Sequence, residues 1–315
     1  MFDIVMPLFN KEIYVSRTID SVLAQTFADW RLFVVDDGST DRSAAVVERY
    51  NDPRISLLRQ ENAGPGAARN TGILAGSSEW IAFLDADDLW MPDHLATLDG
   101  LRERFPTACL IGTAYQEWSG GEKVSLRQGT GTGRLIRYFH EAARDCAPFF
   151  TSSAAFLREA VENVGLLEPV IVGDEMDLWA RLALDCPVAA SARQTVLYRV
   201  GTGGITDSSG VRQAASASEI SLPVATLLKR LDGISERQLR SDVVEYIDFE
   251  IGLALLRAVR SGQIPYAHKL LGFFLEGPRG KARTAARLAQ LPAPLGQALM
   301  HLAFRLKRAL RLTIA

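Results

Sequence analysis

The chain is short of the residue types that most readily announce chemistry. Its 315 residues include only 4 histidines and 3 cysteines. Cys109, Cys146 and Cys186 are widely spaced, with no paired metal-ligand spacing. They read as small buried hydrophobes of a reducing compartment. His94, His140, His268 and His301 are scattered and form no cluster. Charge of one sign is lacking too: the formal net charge of -2 removes any whole-chain case for binding nucleic acid. No apolar run reaches bilayer-spanning length, and no basic region with an apolar segment precedes the first strand signal at Asp3-Ile4-Val5-Met6-Pro7. The expectation is a cytoplasmic protein.

What is present is an ordinary core-forming composition, 48% hydrophobic and 23% charged, in a chain long enough for one large or two modest domains. Strand signals at 3–7, 32–36, 55–59, 80–84 and 108–113 alternate with helical ones. Val15, Ile19, Val22 and Leu23 recur at helical spacing. Gly38-Ser39-Thr40-Asp41 turns the chain into a second helix, and Gly64-Pro65-Gly66 opens a third. This βαβα order predicts an α/β fold with a mostly parallel sheet and helices on both faces. Such sheets bind ligands at the carboxyl ends of their strands. Residues 116–134, rich in Gly and Thr, read as a mobile surface connection or hairpin, and 201–210 as a flexible loop or linker. Helices are predicted near 175–185, 216–231, 236–261, 264–275 and 294–312.

Acids gather where the strands end. Asp85-Ala86-Asp87-Asp88 follows the apolar run Trp80–Leu84, and Asp36-Asp37 closes the second strand. Crowded carboxylates repel one another, so a fold that keeps them supplies a cation or donors, and their hard oxygens suit Mg²⁺ or Mn²⁺. An acidic cap on the next helix is the plainer alternative. Pro7-Leu8-Phe9-Asn10-Lys11-Glu12 ends the first strand with polar groups and a stacking face. In Gly173-Asp174-Glu175-Met176-Asp177-Leu178-Trp179, Asp174 and Asp177 share one side of a helix and Glu175 points away from it. Trp179 and Leu178 read as core.

Together Val5–Asn10, Val35–Asp41, Asn62-Ala63-Gly64 with Ala68–Gly72, and Phe83–Asp88 resemble the inverting glycosyltransferases of family 2, of bacterial surface-glycan type, over residues 3–200. The resemblance implies a GT-A fold, Rossmann-like, followed by a C-terminal helical region. It implies a catalytic domain over 1–210, with a nucleotide-sugar half to about 115 and an acceptor half beyond, then a helical region over 211–315. Pro7, Phe9, Asn10 and Glu12 match positions lining the nucleotide pocket, and Asp37 the carboxylate contacting the base. Arg69 and Asn70 match the segment near diphosphate and sugar. Asp85, Ala86 and Asp87 match the DxD motif, with Asp87 as ligand of Mn²⁺ or Mg²⁺ and Asp85 near ribose or sugar. The helix motif resembles ED-x-D-L-W, whose second acid deprotonates the acceptor. That register favours Glu175 as base, with Asp174 as its rival. Many relatives carry a histidine where this chain has Gly201 and Thr202 after Tyr198-Arg199-Val200.

The implied activity is transfer of a sugar from a nucleotide-diphosphate donor, preferably a UDP-sugar, to a hydroxyl of a glycan or lipid-linked acceptor in cell-surface polysaccharide synthesis. A silent nucleotide-sugar-binding scaffold and a nucleotidyltransferase are the alternatives; the latter would want a Gly-rich basic loop where Pro7–Glu12 stands. From Gly277 onward there are eight basic residues and no acid. Leu299, Leu302, Leu306 and Leu310 recur at helical spacing among Arg305, Lys307, Arg308 and Arg311. This predicts a cationic amphipathic helix and a peripheral contact of 279–311 with anionic membrane.

Overall fold

The computed structural model describes residues 1–120, 131–144, 148–168, 173–202, 220–260 and 263–277, with 286, 287 and 289. The chain divides into two compact units, Met1–Glu141 with Asp145–Ala214, and Ala142–Arg144 with Ala215–Ala315.

The first unit is built on one sheet. Strands β1 (Phe2–Leu8), β2 (Trp30–Asp37), β3 (Ile55–Gln60) and β4 (Trp80–Phe83) are joined by helices α1 (Val15–Leu23), α2 (Ser43–Val47) and α3 (Pro65–Ala75). β1 and β4 are buried nearly throughout, as strands covered on both faces must be. Next come β5 (Leu89–Trp90), α4 (His94–Arg104), β6 (Leu110–Trp118), β7 (Arg134–Ile136), α5 (Tyr138–Ala142), β8 (Ala154–Leu157), α6 (Arg158–Val164), α7 (Asp174–Asp185) and β9 (Val188–Arg199). The sheet order is β3-β2-β1-β4-β8-β6-β9-β5, with β7 paired to β9.

Pairing direction places the site. β2 and β4 run parallel to β1, so the ends of all three open on one edge. β8 is antiparallel to β4 and to β6, so its entry, the 3-10 turn Thr151–Ser153, lies at that same edge. β9 is parallel to β6, which brings Arg199 there as well. α3 packs tightly on the sheet because residue 72 is glycine: a Cβ there would lie 2.4 Å from Val5 Cγ1. At the opposite edge Asp3, fully buried, accepts hydrogen bonds from Arg31, Arg158 and Ser78, the pairing a buried charge requires.

Two expectations change. β6 continues to Trp118 and β7 begins at Arg134, so the expected connection over 116–134 is strand at both ends; 121–130 lie outside the described residues. Cys109 and Cys186 form a disulfide, with Cα atoms 6.0 Å apart. Pairing of Leu110 with Val188 draws together two cysteines separated by 77 residues, which spacing along the chain does not reveal. Cys146 is outside the described residues.

In the second unit α8 (Leu222–Arg230), α9 (Arg237–Arg260) and α10 (Ile264–Leu271) form a helical group in which α9 packs on both others. The Asp248 carboxylate accepts from the Leu275 and Glu276 backbone N–H groups. The expected last helix and the basic tail over 279–311 fall almost wholly outside the described residues. No helix among the described residues is long and apolar enough to cross a membrane.

Candidate active site

The strand-end loops brace one another. Asn10 has φ of 52°, and its side-chain oxygen accepts from the backbone N–H groups of Thr40 (2.8 Å) and Asp41 (3.3 Å). Asparagine is among the few side chains that tolerate this left-handed backbone. Glu12 accepts from Arg42 N at 2.9 Å. Asp37, buried, accepts from Gln60 Nε2 (2.8 Å), Ala63 N (2.9 Å) and Gly64 N (2.9 Å). Gly38, at φ 74°, makes the turn beside it. Pro7 lies one residue before the end of β1, and Phe9 just beyond that end stands 45% exposed, a free apolar face at the mouth of the loops.

The four residues after β4 take different parts. Ala86 is buried, and its carbonyl accepts from Thr18 Oγ1 at 2.9 Å. Asp88 is fully buried with both oxygens occupied, by Ser152 Oγ (2.6 Å) and Arg199 N (2.9 Å). Burial, with the Asp85 charge, pushes its carboxyl well above the ordinary range. It ties three strands together, with both oxygens turned to protein partners. Asp85 and Asp87 keep partly open side chains, 30% and 14% exposed. Lys11 Nζ sits 2.6 Å from Asp87 Oδ2.

Arg69 is the hub. It is 4% exposed, donating from Nη2 to Asp85 Oδ1 (2.9 Å) and from Nη1 to Asp174 Oδ2 (3.0 Å), with Glu175 Oε2 at 3.7 Å. Burial alone would favour a neutral group, but Asp85, Glu175 and Asp174 hold the guanidinium charged. Asp174 lies at the start of α7, 1% exposed; burial and its hydrogen bond to Glu175 push its carboxyl up to about 8. Glu175 moves the other way. Burial opposes its ionisation, but the Asp174 hydrogen bond and Arg69 outweigh it and lower the pKa, helped by Thr151 Oγ1 donating at 3.1 Å. The two acids are thus pushed in opposite directions, Asp174 toward holding a proton and Glu175 toward giving one up. Gly66 lets α3 approach this point: a Cβ would lie 2.9 Å from Asp174 Oδ2.

Asn70 points elsewhere. Its amide exchanges two hydrogen bonds with the Leu167 backbone, at 2.8 and 3.0 Å, pinning the segment before α7. Trp179 packs edge-on to Phe149 with ring centroids 5.5 Å apart, as core. His94 is fully buried beside Thr195, its pKa lowered to about 3 by burial. Residue 201 has φ of 82°, which suits its glycine, and Thr202 Oγ1 lies 3.5 Å from Lys11 Nζ. Lys11, Thr151, Ser152 and Arg199 belong to this site without having been singled out from the sequence. Lys11 and Arg199 lay inside motifs already quoted, and nothing local marks the other two.

The residues 3–165 match the family model "Glycosyl transferase family 2". A stretch of 96 residues is 45% identical to the UDP-Glc:alpha-D-GlcNAc-diphosphoundecaprenol beta-1,3-glucosyltransferase WfgD of Escherichia coli, covering 30% of this chain and 38% of that one. Another of 113 residues is 40% identical to the succinoglycan biosynthesis protein ExoW of Rhizobium meliloti, covering 34% and 35%. The chain spans from about a quarter to about half the length of the curated relatives it matches first. Among solved structures, S. aureus TarS 1-349 in complex with UDP-GlcNAc superposes with a TM-score of 0.71, covering 95% of this chain and 88% of that one at 15% identity. That likeness shows the fold, a GT-A architecture.

Proposed function

The chain belongs to glycosyl transferase family 2 and is a glycosyltransferase, and on that footing we propose that it moves a sugar from a UDP-sugar to a hydroxyl of a glycan or lipid-linked acceptor, with inversion. The observation that carries this is the Arg69 hub, which ties a donor-side carboxylate, Asp85, to the helix-borne pair Asp174 and Glu175. The UDP donor and surface-glycan acceptor are supported by what WfgD is named for and by the nucleotide sugar bound to TarS.

Each residue has a task that follows from its surroundings. Phe9 offers a stacking face to the base, and the Asn10, Glu12 and Asp37 bracing keeps that loop set before the donor arrives. Glu175, charged and partly open, takes the proton from the attacking hydroxyl as the new bond forms opposite the departing diphosphate. Asp174 holds its own proton and orients Glu175. Asp85 Oδ2 and Asp87 Oδ1 accept no hydrogen bond among the described residues, so two hard oxygens remain open at the solvent-facing side. That donor set fits Mg²⁺ or Mn²⁺, which when bound would offset charge growing on the leaving diphosphate. Asp87 is the ligand and Asp85 the contact to ribose or sugar.

The test is transfer from UDP-sugars to lipid-linked acceptors, with product stereochemistry read by NMR. Glu175→Gln should lower kcat by about 10²–10⁴-fold, the range of a lost general base, while retaining UDP affinity. Asp174→Asn should keep most of the rate, because an amide also donates to Glu175. The reverse pattern would move the base to Asp174, and a product of retained configuration would reject the mechanism. The eight cations after Gly277 support a peripheral membrane contact; unchanged partitioning onto anionic vesicles after truncation there would remove it.

A further inference from the structure

The site holds cationic groups of its own. Two converge on Asp87: Lys11 Nζ on its carboxylate at 2.6 Å, and Arg199 Nε on its backbone carbonyl at 3.0 Å. Arg199 is locked in place. Its guanidinium lies 4.1 Å from the Trp118 ring centroid and 5.1 Å from that of Tyr14, and its backbone N–H is held by Asp88. Lys11 is held at its root, where its backbone N–H donates to Ser43 Oγ at 2.7 Å next to the left-handed Asn10, and its ammonium lies 5.7 Å from the Tyr14 ring centroid. Beyond that, four methylenes carry an ammonium whose side chain is 18% exposed, with Thr202 Oγ1 as its second neighbour. One cation is therefore fixed, and the other can change partner without moving the backbone.

We propose that Lys11 is a tethered exchange cation: it neutralises Asp87 while the donor site is empty, and it passes to the donor's diphosphate when Asp87 is ceded to a divalent ion. This rests on the metal role of Asp87 in the reading above. The charge argument is direct. A carboxylate held by an ammonium through one oxygen is a poor ligand for a second cation through the other, because the two positive charges would lie within a few ångströms of each other. Once a diphosphate enters, its oxygens offer the ammonium a stronger anionic partner, and Thr202 marks the side toward which it can swing. Metal alone should then bind weakly, and metal with nucleotide well. Lys11 makes the ordering of the two cooperative, a coupling carried by one side chain.

The experiment measures Mn²⁺ affinity by the electron paramagnetic resonance of free ion, without any turnover. The proteins are the wild type, Lys11→Met, Lys11→Arg, Asp87→Ala and the Lys11→Met/Asp87→Ala double variant. Lys11→Met should bind Mn²⁺ alone at least tenfold more tightly than wild type, and its UDP affinity at saturating Mn²⁺ should fall about tenfold. Lys11→Arg should stay near wild type. A merely structural lysine would give weaker Mn²⁺ binding on removal, never tighter. Equal or weaker Mn²⁺ binding in Lys11→Met, still abolished by Asp87→Ala, would overturn the role of Lys11 and leave the metal site standing. Mn²⁺ binding that survives Asp87→Ala in both backgrounds, or is absent from every protein, would overturn both.

Discussion

Replacing Arg69 with methionine tests the hub most directly, because the change keeps the apolar stem and deletes the charge. Arg69 is 4% exposed and lies within 3.7 Å of three carboxylates. The three carboxylates share this one guanidinium. A pair of unit charges about 4 Å apart is worth about 4 kcal/mol at an effective dielectric of 20, and removing one partner of a buried pair costs about 3–5 kcal/mol. The loss should depend on pH. Without the guanidinium, Glu175 no longer has the cation that lowers its pKa, and burial raises both it and Asp85. Lower pH favours their protonation and sheds the repulsion, whereas higher pH does not. Urea unfolding followed by tryptophan fluorescence should therefore show Arg69→Met destabilised by about 3–5 kcal/mol at pH 8 and by clearly less at pH 5. A penalty below about 1 kcal/mol, or an equal one at both values, would refute the hub.

Asp174→Asn isolates the complementary effect. A carboxyl whose folded pKa is about 8 against an ordinary value of 3.8 makes the folded state bind the extra proton between those values. Its share of stability is thus full below the unfolded value and falls by about 1.4 kcal/mol per pH unit as pH rises toward 8, and the asparagine variant should lose that slope. Thr151→Val removes a donor from Glu175, which should raise the base's pKa and move the acidic limb of the kcat profile upward, with little change in thermal midpoint. Gly72→Ala drives a methyl into Val5, 2.4 Å from Cγ1; it should cost about 1–3 kcal/mol by thermal unfolding, and Val5→Ala should restore part of it.

Much of this site is legible along the chain, because its acids sit where apolar runs stop. β4 carries four buried residues and then Leu84, and a parallel sheet sends its ligand-facing groups to strand ends, so Asp37 and Asp85–Asp87 could be placed from pattern alone. Alternation of strand and helix gave the α/β class for the same reason. The short, irregular partners were another matter. β8 is only four residues long and β7 three, too brief for any periodic signal, yet β8 sits between β4 and β6 and delivers Thr151 and Ser152 to the acids.

By itself the sequence determined which residues carry charge at the edge of the sheet and to which family their order belongs. Only tertiary structure decided how those charges are shared. Asp174 and Glu175 are neighbours in the chain, but a helix turns them about 100° apart, so Asp174 hydrogen-bonds Arg69 in the interior while Glu175, still near Arg69, also meets Thr151 and solvent. Asp87 and Asp88 are likewise adjacent, and only the strands around them give the first an ammonium and the second a hydroxyl and a backbone N–H. Lys11 comes to Asp87 across 76 positions, and Arg69 to Asp174 across 105. Local propensity has no term for such separations. Strand order and direction set them, and through them the burial and electrostatics that give each acid its part.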